Sequence, residues 1–204
     1  MPIRLAVLLS GSGTTLQNII DRIDRGELDA TVAGVVSSRA GVFGLERAKK
    51  HGIPAAEVLR RGFPNHEAFN TALWTEIRAL SSDLVVLAGF MSLIDVPPDY
   101  QNRIINVHPA LIPAFCGHGM YGHHVHEAVI NYGAKISGAT VHFVDTEYDH
   151  GPIILQGAVP VLDNDTPDTL AERVQALERE LYPQAIQLFA EGRLRVAGRR
   201  VFIH

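Results

Sequence analysis

The chain has 204 residues, 47% of them hydrophobic, which is enough to bury the core of one globular domain. A net charge of −4 without any basic stripe argues against a nucleic-acid partner, and a single cysteine, Cys116, excludes an intrachain disulfide and the usual thiolate zinc sites. The low cysteine content favours the cytoplasm, and the first apolar run, residues 5–9, is too short to span a membrane.

Segments typical of strands alternate with segments of helical period through the first half of the chain. Strands are predicted at residues 4–9, 32–37, 84–88 and 104–107, and helices at 16–25, 42–51 and 67–80. This alternation predicts an open, doubly wound, mostly parallel α/β sheet of the Rossmann-like kind. Such sheets bind ligands beyond the carboxyl ends of their strands.

The second half of the chain changes in style. Alternating residues 140–144 and the apolar run 153–161 flank the turn-like sequence DTEYDHGP, which predicts a late antiparallel hairpin. Pro167 then begins a long C-terminal helix with apolar positions at helical spacing. Because no repeat or linker divides the chain, we predict a single domain over residues 1–204.

The sequence LLSGSGTTLQNII places Gly11 and Gly13 between a strand and a helix. Glycines let the backbone approach an anion there, and the helix N-terminus favours a phosphate. No lysine follows as in a Walker A loop, and Leu16 stands where a dinucleotide fingerprint has its third glycine. A phosphate monoester is therefore favoured over a dinucleotide, with a capped turn that binds no ligand as the alternative.

Asn106 and His108 are two residues apart at a strand end, so their side chains point to the same side. An amide donor beside an imidazole can stabilise an oxyanion and move a proton, as acyl transfer requires. Asp149, in the predicted hairpin turn, completes a trio if it folds back onto the pair, and we expect it to raise the pKa of His108. A structural histidine with a capping asparagine is the alternative.

Five histidines crowd the sequence HPALIPAFCGHGMYGHHVHEA. If residues after Gly122 are helical, His123, His124 and His126 fan around the helix axis, whereas a helical zinc pair requires a spacing of four. We therefore predict no metal site in this segment, with a metal-dependent hydrolase as the alternative.

Five motifs together resemble the phosphoribosylglycinamide formyltransferase family over about residues 3–194: SGSGTTLQNII, VVLAGFM, INVHPALIP, GATVHFVDTEYDHGPII and VQALERELYP. The resemblance implies transfer of a formyl group from 10-formyltetrahydrofolate to the amine of 5-phosphoribosylglycinamide in de novo purine synthesis. It implies small-molecule substrates, no metal, no membrane and a monomer or homodimer. A nucleotide-binding half would span about 1–100, and a folate and catalytic half about 101–204.

Site roles follow from the same resemblance. Asn106, His108 and Asp149 would be catalytic, and Asn106 would also contact the folate. The nucleotide substrate would be bound by Gly13, Thr14, Thr15 and Glu178. The folate would be bound by His66, Met91, Ser92, Leu93, Ile94 and Asp145.

The sequence departs from the family pattern at three positions. Thr15 stands where the family usually has asparagine, Ser92 where it often has arginine, and His66 close to where it has another arginine near the folate tail. Formyltetrahydrofolate deformylase, which uses water as acceptor, is the main alternative, although that family normally adds an N-terminal domain. Methionyl-tRNA formyltransferase and a non-catalytic folate- or nucleotide-binding protein are weaker alternatives.

Overall fold

The computed structural model describes all residues from 1 to 204, and they form two compact units, residues 1–105 and 106–204. The first unit alternates strands and helices in the predicted order. Its strands are β1 (Ile3–Leu9), β2 (Ala30–Ser37), β3 (Ala55–Glu57) and β4 (Leu84–Leu87), and its helices are α1 (Thr14–Asp24), α2 (Phe43–Lys50) and α3 (His66–Ala79).

The strands of the first unit pair in parallel in the order β3-β2-β1-β4. β1 and β4 consist almost wholly of buried aliphatic residues, as strands covered on both faces require. Apolar positions at helical spacing bury one side of α3, through Phe69, Leu73 and Ile77. The carboxyl ends of β1 and β4 lead directly into the glycine turn and the AGFM segment.

The second unit begins in β5 (Ile104–His108), whose last three residues belong to it. The elements that follow are α4 (His123–Tyr132), β6 (Ile136–Phe143), β7 (Ile153–Pro160), α5 (Pro167–Ala190), β8 (Leu194–Ala197) and β9 (Arg200–Ile203). β6 and β7 form the predicted antiparallel hairpin, while β9 pairs in parallel with β7 and antiparallel with β8. The core of this unit joins α4, β6 and α5 through Val129, Ala139, Leu170 and Val174.

The predicted fold class is confirmed, since the chain is α/β with mostly parallel strands, a late antiparallel hairpin and a long C-terminal helix. α5 begins where the sequence indicated: Pro167 occupies its first turn, and the side chains of Thr166 and Thr169 form a capping box. The three-residue β3 and the β8–β9 hairpin are additional elements that the apolar pattern did not reveal. No helix combines the length and the apolar character needed to cross a membrane.

Gly138 lies where β6 and β7 approach closely, so Gly138→Ala is expected to destabilise the protein. A Cβ atom there would lie 2.0 Å from the carbonyl oxygen of Gly157 and 2.8 Å from the side chain of Leu111. Overpacking of this kind costs about 1–3 kcal/mol or more, measured as the free energy of unfolding in urea. Gly62→Ala is the control, because a Cβ at Gly62 meets nothing within 4 Å. Equal losses in the two variants would contradict the prediction.

Candidate active site

Two buried serines, Ser10 and Ser38, support the glycine turn of the first unit. The hydroxyls of Ser10 and Ser38 are 2.7 Å apart, and Ser10 Oγ accepts a hydrogen bond from the amide of Met91 at 2.9 Å. Gly13 precedes α1 with φ of +72°, and a Cβ there would lie 2.6 Å from Gly44 Cα. Only glycine fits this conformation and this contact, which leaves the first amides of α1 open to an anion.

Arg47 of α2 lies beside the same turn. Its guanidinium donates to the carbonyl of Ser12 at 2.9 Å and to Gln17 Oε1 at 3.1 Å, and it stacks on the ring of Phe43. A fixed positive charge therefore adds to the dipole of α1 at the predicted phosphate position. Arg47 lies 34 residues after the turn, so no local pattern in the sequence connects it with the phosphate position.

The predicted folate segment follows β4 and is anchored on α3. Met91 is exposed, Ser92 and Leu93 are half-buried, and Ile94 is buried at 3% exposure. At its end, the amide of Asp95 donates to Asn70, and its carboxylate lies 3.0 Å from His66 Nε2. The His66 ring thus lies against this segment rather than projecting alone into solvent.

β5 ends in the two residues that the sequence analysis paired. His108 is buried, with 4% of its side chain exposed, and its two ring nitrogens face different acceptors. Nε2 lies 2.8 Å from the carbonyl oxygen of Phe115, and Nδ1 lies 3.4 Å from Asp149 Oδ2. The structure therefore places Asp149 next to His108, which lies 41 residues earlier in the sequence, as the predicted trio requires.

Asp149 lies in the loop between β6 and β7 and adopts a left-handed backbone conformation with φ of +53°. Asp and Asn tolerate this conformation better than most residues. Its carboxylate also accepts the amide of Gly117 at 3.0 Å. Burial alone would raise the pKa of Asp149, but nearby partners, among them His108 and the Gly117 amide, hold it below its usual value. Asp149 is therefore ionised at neutral pH.

The expected pKa shift of His108 is wrong in its net direction. Burial lowers the pKa of His108, and the opposing effects of Asp149 and the Phe115 carbonyl do not compensate for it. The Asp149 carboxylate does act to raise the pKa of His108, as expected, but the depth at which the ring is buried cannot be read from the sequence.

His142 on β6 contacts two members of the trio. Its Nε2 lies 3.3 Å from Asn106 Nδ2 and 3.7 Å from Asp149 Oδ1, while Nδ1 lies 2.8 Å from the carbonyl oxygen of Phe143. His142 belongs to the alternating run of residues 140–144, and its position on β6 brings its ring beside the trio.

Hydrogen bonds between exposed side chains stabilise the loop of residues 145–150. Asp145 Oδ2 lies 2.8 Å from His150 Nδ1, and Asp145 Oδ1 accepts the amide of Glu147 at 2.9 Å. Arg199, between β8 and β9, donates to His150 Nε2 at 2.9 Å and to its carbonyl oxygen at 2.6 Å. The unpredicted C-terminal hairpin thus supports the loop that carries Asp149.

Glu178 lies on α5 in surroundings that contrast with those of Asp149. Burial raises its pKa to about 7, although the positive charge of Arg179 acts in the opposite direction. A carboxyl group with this pKa can donate a hydrogen bond near neutrality as well as accept one.

The histidines at the start of α4 separate as the helical fan predicts. His123 lies 3.2 Å from Glu127 and 3.1 Å from Asp168, while His124 lies 3.5 Å from Glu127. His126 instead turns into the core at 3% exposure. No three His, Cys, Asp or Glu side chains in the structure are placed to hold a metal ion together.

Comparison with known proteins identifies one enzyme family, the formyl transferases, that this chain resembles. The formyl transferase family profile matches residues 3–186. The phosphoribosylglycinamide formyltransferase of Escherichia coli is 40% identical over 194 residues, which cover 94% of this chain and 89% of that protein. The trifunctional purine biosynthetic protein adenosine-3 of Bos taurus is 40% identical over 95% of this chain. This chain spans only 19% of that longer protein.

The fold agrees with this result. Glycinamide ribonucleotide transformylase 1 from Symbiobacterium toebii superposes with a TM-score of 0.92 at 46% identity, covering 99% of this chain and 94% of that one.

Glu178→Gln is expected to stabilise the protein above neutral pH. Folding raises the pKa of Glu178 from 4.5 to about 7, so its ionisation reduces stability as the pH rises through this window, and the full cost is present above it. The glutamine variant avoids a cost on the order of 2–3 kcal/mol at alkaline pH and matches the wild type below about pH 4.

Urea unfolding of both proteins at about pH 4 and pH 8 tests this expectation. Glu172→Gln, at an exposed position of the same helix, is the control and should show no such difference. If wild type and Glu178→Gln differ equally at both pH values, the assigned burial of the carboxyl group is wrong.

Proposed function

The chain belongs to the formyl transferase family, and we propose that it transfers a formyl group from 10-formyltetrahydrofolate to the amine of 5-phosphoribosylglycinamide. The products are the formylglycinamide ribonucleotide and tetrahydrofolate, in de novo purine synthesis. The observation that carries this proposal is the buried group at the end of β5, where His108 faces an ionised Asp149 beside the amide of Asn106. We place the reaction in the cytoplasm, with small molecules as its substrates.

The first unit supplies the phosphate position. The open amides at the start of α1, from Gly13, Thr14 and Thr15, would bind the phosphate of the nucleotide, and Arg47 would add a fixed positive charge. Thr15 contributes mainly through its backbone, so the loss of the asparagine usual in the family is tolerated. Glu178, whose carboxyl group is able to donate or accept, is also proposed as a nucleotide-binding residue.

Chemistry begins when the glycinamide amine attacks the formyl carbon. A carbon–nitrogen bond forms, and the carbonyl oxygen becomes an oxyanion that the Asn106 amide and His108 stabilise as donors. The bond from that carbon to the folate nitrogen then breaks. The proton of the attacking amine reaches the departing nitrogen through water held by Asp149.

His108 can donate to the developing oxyanion without gaining a proton. In the free protein its pKa is lowered by burial, and its Nε2 donates to the Phe115 carbonyl. A formyl oxygen that replaces this carbonyl develops negative charge, so the hydrogen bond from Nε2 strengthens as the transition state forms. Stabilisation that appears mainly in the transition state accelerates the reaction rather than merely tightening binding.

In the first unit, residues 91–94 would contact the folate. Ile94 is buried, so its share is through backbone groups, whereas Met91 is exposed enough for side-chain contact. His66 already pairs with Asp95, and Ser92 carries no charge, so we expect weaker recognition of the folate glutamate tail than an arginine would provide.

His108→Ala and Asn106→Ala are each expected to reduce the turnover of formyl transfer by about a hundredfold to a thousandfold. Each variant removes a donor to the oxyanion, so the effect falls on kcat more than on KM. Steady-state assays with 5-phosphoribosylglycinamide and 10-formyltetrahydrofolate measure it. His204→Ala, at the exposed end of the chain, is the control. Near-normal turnover in a folded His108→Ala variant would remove this histidine from the mechanism.

The same assay identifies the formyl acceptor. We expect tetrahydrofolate to form rapidly only when 5-phosphoribosylglycinamide is present, in equal amount to formylated product. Equally rapid release of formate without the nucleotide would assign the deformylase reaction instead.

A chelator is expected to leave this rate unchanged, because the proposed reaction uses only the hydrogen-bond donors Asn106 and His108 and the carboxylate of Asp149. The assay is run with and without EDTA after dialysis. A rate abolished by EDTA and restored by one equivalent of zinc would contradict this expectation.

A further inference from the structure

We propose that His142 is a positioning residue for the formyl transfer, and that its imidazole fixes the side-chain amide of Asn106 with one N–H directed at the reacting carbonyl. This inference rests on the proposed function for its chemistry, but its geometry stands on the contacts of His142 alone. His142 lies on β6 with 2% of its side chain exposed, so its hydrogen bonds do not compete with bulk water.

The first step is the tautomer of the His142 ring. Nδ1 lies 2.8 Å from the carbonyl oxygen of Phe143, and a carbonyl oxygen can only accept a hydrogen bond. Nδ1 must therefore carry a hydrogen atom. In the neutral ring this leaves Nε2 with a lone pair, so that Nε2 can accept a hydrogen bond but cannot donate one.

The second step is the orientation of Asn106. Its Nδ2 lies 3.3 Å from His142 Nε2, and an amide nitrogen only donates. With the amide turned over, its oxygen would face the lone pair of Nε2 and no hydrogen bond would form. The ring thus selects one of the two amide orientations, uses one N–H of Asn106 and leaves the second N–H for an oxyanion.

The third step shows that the Asp149 carboxylate is the partner of His108 and not of His142. Asp149 Oδ1 lies 3.7 Å from His142 Nε2, beyond hydrogen-bond distance, whereas Oδ2 is engaged by the Gly117 amide at 3.0 Å and faces His108. His142 therefore orients Asn106, while Asp149 remains the partner of His108. The buried ring of His142 lies between Asn106 and Asp149, and it acts on the reaction through Asn106.

Two substitutions of His142 separate this role from simple packing. Glutamine places an acceptor near the position of Nε2, whereas asparagine reaches only the position of Nδ1 and loses contact with Asn106. We expect His142→Asn to lower kcat by on the order of tenfold to a hundredfold with little change in the KM for formyl folate, and His142→Gln to recover most of the loss.

A double-mutant cycle supplies the decisive readout. If His142 acts through Asn106, then His142→Asn has no further effect on kcat in the Asn106→Ala background. A multiplicative loss in both backgrounds, or equal losses for the glutamine and asparagine variants, would overturn the proposal. Thermal unfolding of each variant identifies any that fails to fold, and the glutamine variant then carries the comparison.

A spectroscopic measurement keeps the inference distinct from the proposed function. Nitrogen-15 NMR of the wild-type histidine side chains reports which ring nitrogen carries the hydrogen, and we expect Nδ1 protonated and Nε2 bare in His142. The opposite tautomer would overturn the positioning role even if formyl transfer is observed. A wild type that shows this tautomer but transfers no formyl group would contradict only the proposed function.

Discussion

The site in the second unit depends on one buried carboxylate, that of Asp149. Burial opposes its charge, and the charge persists because His108 and the Gly117 amide face it. The same carboxylate opposes the desolvation of His108 and tethers the loop that holds Phe115 and Gly117. Without it, a buried imidazole would have no counter-charge and the loop no anchor, so loss of Asp149 would affect orientation and charge together.

Backbone constraints deliver Asp149 to this position. A left-handed residue within the 145–150 loop turns the carboxylate inward, while Arg199 and Asp145 hold His150 on the outer side. Exposed polar contacts of this kind contribute little to global stability. Their value here is local, because a loop fixed at both sides loses less conformational freedom when a substrate binds.

The sequence predicted those parts of the site that rest on local pattern. Asn106 and His108 share a strand end, and the glycine turn joins a strand to a helix, so period and spacing suffice to locate them. Arg47, Phe115 and Gly117 act through tertiary contacts made by backbone atoms or distant helices, which no local pattern records. The net pKa shift of His108 was missed because it depends on depth of burial, whereas the sequence shows only that a carboxylate is available. Short elements such as β8 and β9 escaped because four residues are too few for a periodic pattern to be recognised.

Two carboxyl groups of the second unit show how the same chemical group takes opposite roles. Asp149 has partners that favour its charged form, among them His108 and the Gly117 amide, and has a lowered pKa, whereas desolvation raises the pKa of Glu178 to about 7. The first is suited to orient a histidine and assist proton movement as a permanent anion. The second can bind hydroxyl or amine groups of a nucleotide in either protonation state, and ligand binding at neutral pH is then coupled to proton uptake or release. Because these differences come from environment rather than residue type, the two chemical roles follow from where the β6–β7 loop and α5 place each group.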